Sequence, residues 1–295
     1  MTIARKKMSA PSDSLSTHSG FSLISNEKLL ELYTTMLKCR MIEERFSILA
    51  KRHSGAPPSI TAAVHDAAIA GAAIDLLRGD TLAPSPGALI PCFVKGMPLA
   101  AIFSAISGSK SMIRRSYASH GLIRPSFSAV TQLERAMRTA STHKARKNKK
   151  IAVVFCGDST ASSRDLDVAM ERAGRKRLPV LFVCQTGHDV EDVSAKAHKF
   201  GFPGVIVDGD DAVAVYRVAT EAIAHARRGS GPTLIECKPW PLSGRKSARP
   251  HSTGNPIRNM ESYLARRGLF SRKVKSRVTA AFQTELEAAI LATRT

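Results

Sequence analysis

No uninterrupted apolar run in these 295 residues approaches the roughly 20 that a helix needs to cross a bilayer, so no segment reads as a transmembrane helix. Cysteine is sparse and odd in number. Cys39, Cys92, Cys156, Cys184 and Cys237 lie far apart without a CxxC pair. That spacing gives neither a zinc site nor a disulfide framework, and it reads as reduced core thiols in a cytosolic protein. Glycine-rich phosphate loops and dinucleotide fingerprints are missing, and Ser159 and Ser162 lack the flanking glycines of a nucleophile elbow. His120, His188, His225 and His251 have no partner at metal-ligand spacing and read as surface or turn residues. His65 and Asp66 are adjacent on one helix and therefore point to different faces. Acids are few, 24 against 44 lysines and arginines, for a net charge of +20. Such a balance fits either an anionic partner or a basic solvated surface.

What is present is best seen from Ile151 to Thr186. Two short β-branched runs, Ile151–Cys156 and Val180–Cys184, bracket a helix-compatible segment. Their length and turn-rich ends suit buried parallel strands. Ser162 or Ser163 can cap the intervening helix. Asp165 and Asp167 fall in its first turn and Arg172, Arg175 and Lys176 in its last, the order that the helix dipole favours. Pro179 ends the helix and opens the second strand. The segment is a β-α-β unit. Its turn Gly157-Asp158-Ser159-Thr160 lies just past the carboxyl end of a strand, where ligands bind in open α/β sheets.

The stretch VVFCGDSTASSRDLDVAMERAGRKRLPVLFVCQT resembles the thiamine diphosphate motif of the α subunits of 2-oxo-acid dehydrogenases, in their decarboxylating first component. In that family a Gly-Asp-Gly after one strand and a pair of asparagines after the next hold a Mg²⁺ and the cofactor's diphosphate, oxygen ligands being suited to a hard cation. Gly157 and Asp158 match that pattern, with Asp158 at the metal-ligand position. Ser159 replaces the second glycine, and the asparagines fall on Thr186 and Gly187. The resemblance thus implies a cofactor site of Gly157, Asp158, Ser159, Thr160 and Gly187 with half of its metal grip missing.

Taken in order, the chain opens with a polar, serine-rich tail over 1–24. Arg5, Lys6 and Lys7 are close to its start, but Asp13 and the lack of amphipathic spacing argue for disorder rather than a transit peptide. Ser25-Asn26 is a helix cap. From Glu27 to about Ala50 the residues Leu29, Leu32, Tyr33, Met36, Leu37, Ile42, Phe46 and Leu49 keep helical spacing, with Arg40, Glu43 and Glu44 on the polar side. LLELYTTMLKCRMIEERF is similar to the family's opening helix. An alanine-rich helix is predicted over Ile60–Leu77, and a loop over Thr81–Pro91. In that loop the family's cofactor-gripping tyrosine and arginine become Pro86 and Gly87, and its histidine becomes Leu89. VKGMPLAAIFSAISG is like the helix that follows. Lys110–Lys150 is strongly basic, with Glu134 its only acid, and reads as a solvated surface with a helical pattern over Phe127–Thr142. Downstream, Val205–Val207 and Thr233–Lys238 are strands. Asp210 caps a helix from Ala212 to Arg228 between them, and a helical tail spans Asn259–Leu291. The family's catalytic loop histidine falls within Ser243–Ser247, most naturally on Arg245.

The fold expected is α/β, a mainly parallel sheet of the thiamine-diphosphate-binding type with helices on both faces. A basic tail over 1–24, a domain over 25–256 and a helical extension over 257–295 divide the chain. By resemblance the protein pairs with a β subunit as an α2β2 assembly, binds thiamine diphosphate and Mg²⁺, and passes an acyl group to a lipoyl acyltransferase. The altered positions favour a low-activity, structural or regulatory homologue. The alternatives are a fully active α subunit completed by its β chain, and a basic nucleic-acid-binding protein. A cytoplasmic location is expected.

Overall fold

A computed structural model describes residues 24–50, 66–107, 110–124, 126, 128–187, 190–239 and 255–293. The elements in order are α1 (Asn26–Ala50), α2 (Asp66–Ala73), β1 (Thr81–Ala83), α3 (Ile90–Val94), α4 (Leu99–Ser107), α5 (Lys110–Ser119) and α6 (Ala129–Ala145). There follow β2 (Ala152–Cys156), the single turn α7 (Asp158–Ala161), α8 (Arg164–Arg175), β3 (Val180–Gln185), α9 (Val193–Lys199) and β4 (Gly204–Asp208). The chain closes with α10 (Ala212–Arg227), β5 (Thr233–Lys238), α11 (Pro256–Arg266) and α12 (Arg272–Leu291).

The five strands form one sheet in the order β1-β2-β3-β5-β4, and every pairing is parallel. The four strands expected from sequence are thus all in it, with helices on both faces. Their side chains sort with a period of two. Val153, Phe155, Leu181, Val183, Ile235 and Cys237 join a core with α1, α2, α4, α10 and α12. Ala152, Val154, Cys156, Val180, Phe182, Cys184 and Leu234 face α6, α8 and α9. Burial of both faces explains why β2 and β3 are continuous apolar runs rather than alternating ones. A third cluster joins Leu29, Leu32, Tyr33 and Met36 of α1 to Ile257, Met260 and Leu264 of α11.

Local signals set most boundaries. Ser163, one of the two candidate caps, accepts a hydrogen bond from the Leu166 amide and starts α8. Ser25 precedes α1, its hydroxyl accepting from the Lys28 amide. All five cysteines are free and buried. Alanine and glycine in α2 permit a close crossing with α10, because a Cβ on Gly71 would lie 2.9 Å from the Val215 side chain and from the Tyr216 backbone nitrogen.

Several expectations are corrected. Thr81–Pro91 is not a plain loop: Thr81–Ala83 is an edge strand and Ile90 starts α3. Three residues are too few for a periodic signal, so only pairing with β2 makes β1 visible. α2 ends at Ala73, four residues before the expected Leu77, and its predicted start lies outside the described residues. Asp211, not Asp210, caps α10, accepting from the Val213 and Ala214 amides. The helical C-terminal tail consists of α11 and α12, and it begins at Pro256 behind an Asn255 cap, before the expected Asn259. Arg40 and Glu43 do not face open solvent. Arg40 pairs with buried Asp66, its Nε donating at 2.9 Å, and Glu43 is half-buried beside them.

Candidate functional site at the carboxyl ends of the strands

The register between β2 and β3 sets Cys156 opposite Cys184. Two turns therefore leave the sheet side by side, Gly157-Asp158-Ser159-Thr160 from β2 and Thr186-Gly187 from β3. They meet through one contact. The Gly187 amide donates to the Asp158 carboxylate at 2.8 Å. Asp158 is the first residue of α7, where the helix end favours a negative charge, and its side chain is exposed. Ser159 is exposed and Thr160 buried, so these neighbours do not present themselves equally to a ligand. Gly157 holds extended backbone, and a Cβ there would touch nothing within 4 Å.

Gly187 is likewise not required by its backbone. Its conformation lies outside the left-handed region, and a Cβ would sit 3.7 Å and 4.0 Å from the two Asp158 carboxylate oxygens, ordinary contact distances. A side chain at 187 would therefore stand beside Asp158. The glycine leaves that place without one.

Below the turn lies a buried ionic floor that sequence reading missed. Thr186, where the resemblance placed the family's first asparagine, donates its hydroxyl to Glu236 Oε1 at 3.0 Å. Glu236 Oε2 accepts from the Ser194 amide at 2.8 Å. Lys238 Nζ lies 3.4 Å from Glu236 Oε1 and donates to Asp192 and to the Val190 carbonyl. Burial works against the Lys238 charge, but Asp192 and Glu236 outweigh it and hold its ammonium above the ordinary lysine range. The signal available was Glu236 and Lys238 at i, i+2 spacing on an otherwise apolar strand, since charges are rarely fully buried unless paired. This network ties β5 to the start of α9 and fixes the height of the Thr186-Gly187 turn.

The segment after β1 leaves the same end of the sheet. Ser85 to Ala88 is a tight turn, closed by the Ala88 amide on the Ser85 carbonyl at 3.0 Å, with Gly87 at φ +78°. Proline followed by glycine at positive φ suits a type II turn. Leu89, where the resemblance placed the family's histidine, is buried in the core at the start of α3. Arg245, His188 and His251 lie outside the described residues. Among the described residues no group of three or more His, Cys, Asp and Glu side chains is arranged to hold a metal. Two polar atoms on segments leaving this end of the sheet, Ser85 Oγ and Gln185 Nε2, are buried without a hydrogen-bond partner among the described residues. Atoms of that kind call for a water, a ligand or a second chain.

The sequence profile of the dehydrogenase E1 component matches residues 33–293. The chain belongs to that family. Similar proteins include the 2-oxoisovalerate dehydrogenase subunit alpha of Bacillus subtilis (strain 168), 27% identical over 285 residues that cover 85% of this chain and 86% of the relative. The 3-methyl-2-oxobutanoate dehydrogenase subunit alpha of Mycobacterium tuberculosis (strain ATCC 25618 / H37Rv) is 28% identical over 288 residues, covering 87% and 76%. The pyruvate dehydrogenase E1 component subunit alpha of Staphylococcus aureus (strain Mu50 / ATCC 700699) is 25% identical over 293 residues, covering 90% and 78%. The resemblance to α subunits of 2-oxo-acid dehydrogenases and the α/β fold with its parallel sheet are therefore shown. No helix among the described residues is long and apolar enough to cross a membrane.

Proposed function

We propose that this chain serves as an α-type subunit of a 2-oxo-acid dehydrogenase first component whose own hold on thiamine diphosphate and Mg²⁺ is weak. Its contribution is the scaffold and the surface for a β chain rather than a complete cofactor grip. The observation that carries this reading is the contact between Asp158 and Gly187. Where a metal site needs two side-chain ligands from adjacent turns, the chain presents one carboxylate, and that carboxylate already accepts the Gly187 amide. The residues present do not fit a Mg²⁺–diphosphate unit held by this chain alone, since Mg²⁺ demands near-octahedral oxygen ligands in number. Pro86-Gly87 offers no fixed cation for a diphosphate, where an arginine would grip it through two charge-assisted bonds. The unsatisfied Ser85 and Gln185 atoms support a partner surface at this end of the sheet.

A family member with both ligands and the arginine has two or three more charge-assisted contacts, each worth about 1.5–3 kcal/mol, so several powers of ten in affinity separate it from this chain. Isothermal titration with thiamine diphosphate and Mg²⁺, on the chain alone and then with its purified β chain, tests the reading. We expect no saturation of the chain alone below about millimolar cofactor, with any tight binding appearing only in the complex. Micromolar binding by the chain alone, abolished by Asp158→Ala, would show a self-sufficient site and favour the fully active alternative.

A further inference from the structure

The opposite end of the same sheet holds a cavity of about 320 Å³. It opens where three helices end: His143 and Lys144 come from the last turn of α6, Arg177 follows α8, and Arg227 and Arg228 close α10. Lys147, Lys149 and Lys150, on the segment entering β2, complete its cationic wall. Seven lysines and arginines line this one cavity, and no acid does.

Two of the seven are committed within the protein. Arg227 forks onto buried Asp80 at 2.9 and 2.6 Å, and Lys144 Nζ donates to the carbonyls of Lys176 and Arg177. The side chains of Lys147, Lys149, Lys150, Arg177 and Arg228 take part in no ion pair or hydrogen bond among the described residues. Helix carboxyl ends attract cations, so the charge needs weighing against them. Three such ends contribute roughly −0.5 each, whereas five uncommitted side chains contribute about +5, leaving a surplus of roughly +3 to +4. The half-buried His143 ring senses this field. Burial, then Lys150 and Arg146, hold its pKa below the ordinary histidine range, with Asp80 opposing.

Backbone conformation supplies the second observation. Among the described residues three that are not glycine have positive φ, Lys147 at 50°, Lys149 at 57° and Arg177 at 42°, and all three line this cavity. Two of them stand just past a helix end, where a left-handed residue is normally glycine. α10 follows the rule: Gly229 has φ 79°, and the Gly229 and Ser230 amides return to Ala226 and His225. α8 closes with the same two bonds, Arg177 to Gly174 and Leu178 to Ala173, but with arginine at the left-handed position. α6 has lysine there, with the Lys147 amide on the Lys144 carbonyl. Side chains that strain the backbone are retained where they serve function.

We propose that this cavity binds a compact anion carrying several phosphate groups. A surplus of three to four charges matches an oligophosphate better than a monocarboxylate, and arginine forks suit phosphate oxygens. The volume is at the small end for ligand sites. Among the described residues no phenylalanine, tyrosine or tryptophan lines the cavity, and its one aromatic ring, half-buried His143, is tied to Thr81 at 3.0 Å, so a run of stacked bases has no platform and an extended nucleic acid is the poorer match. The site lies at the amino ends of β2 and β3, remote from Asp158, and it stands whether or not the chain holds thiamine diphosphate.

The test is calorimetric titration of the full chain with sodium tripolyphosphate at 150 mM salt. The comparison is with the double variant Lys147→Gly/Arg177→Gly and with a charge-matched control, Lys273→Gln/Arg277→Gln on α12. We expect one saturable site in the wild type and the control, and at least tenfold weaker binding in the glycine variant. That variant should melt at the same temperature as the wild type or higher, since glycine relieves both left-handed positions. Equal binding by all three proteins, or none by the wild type, overturns the proposal. So does a duplex RNA that binds tightly and is not displaced by tripolyphosphate, which would mark a nucleic-acid surface instead.

Discussion

Glu43 shows how one side chain can make stability depend on pH. Burial, with Asp66 nearby and Arg40 opposing, pushes its carboxyl up to about 7, and Oε2 has no hydrogen-bond partner among the described residues. In the unfolded chain a glutamate returns to its ordinary value near 4.5. Between those values the folded state binds more protons than the unfolded one, so stability falls as pH rises from about 4.5 to 7 and stays lost above it. Asp66, raised by burial to about 6 with Arg40 pulling it back, adds a slope of the same sign at lower pH. Glu43→Gln removes the Glu43 part. We expect it to raise stability at pH 8 by about 1–2 kcal/mol, a figure discounted for partial exposure, and to change little at pH 4. Urea unfolding at the two pH values measures this. A variant less stable than wild type at pH 8 would place a needed charge on Glu43.

At the scale of elements, the β-α-β unit was legible because its signals agree. β-branched runs, a serine cap and ordered charges all point to the same boundaries, and Ser163, β2 and β3 lie where they were expected. β1 was not legible, since three residues carry no period and their partner Ala152 is some seventy positions away. The tail was legible as helical, but its start at Pro256 and its division at Gly268, where the chain turns at φ 68°, were not. In the candidate site, the turns that bring Asp158 and Gly187 together could be read from a motif, whereas Glu236 and Lys238 gain their meaning only from three-dimensional neighbours. Packing between elements yields its own prediction. Gly71→Ala gains up to about 1 kcal/mol in helix propensity, but its methyl meets Val215 and a backbone nitrogen at 2.9 Å across the α2–α10 crossing. Overpacking costs roughly 1–3 kcal/mol, and backbone yields poorly, so the variant should be less stable than wild type, by up to about 2 kcal/mol. A urea midpoint at or above the wild-type value would mean that the two helices part without cost.

Across the whole molecule, one parallel sheet separates two chemically unlike ends. At the carboxyl ends of the strands, two turns meet where the Gly187 amide donates to the exposed Asp158 carboxylate. At the amino ends, cations crowd a cavity over Asp80, whose carboxylate accepts from the Leu77 and Ile151 amides and from Arg227. Five uncommitted cations, set against a net charge of +20, thus share this one place. Restoring Gly87→Arg, attractive from the sequence, is a poor choice in the structure because position 87 has φ +78°. Gly187→Asn is the better one, since its side chain is accommodated next to Asp158. The proposal that this chain's own grip on the cofactor is weak, in part because no side chain stands beside Asp158, is tested most directly by titrating thiamine diphosphate and Mg²⁺ into the wild type and the Gly187→Asn variant. The account predicts at least a tenfold gain in affinity for the variant, reversed by adding Asp158→Ala. Equal affinity in wild type and variant would contradict it.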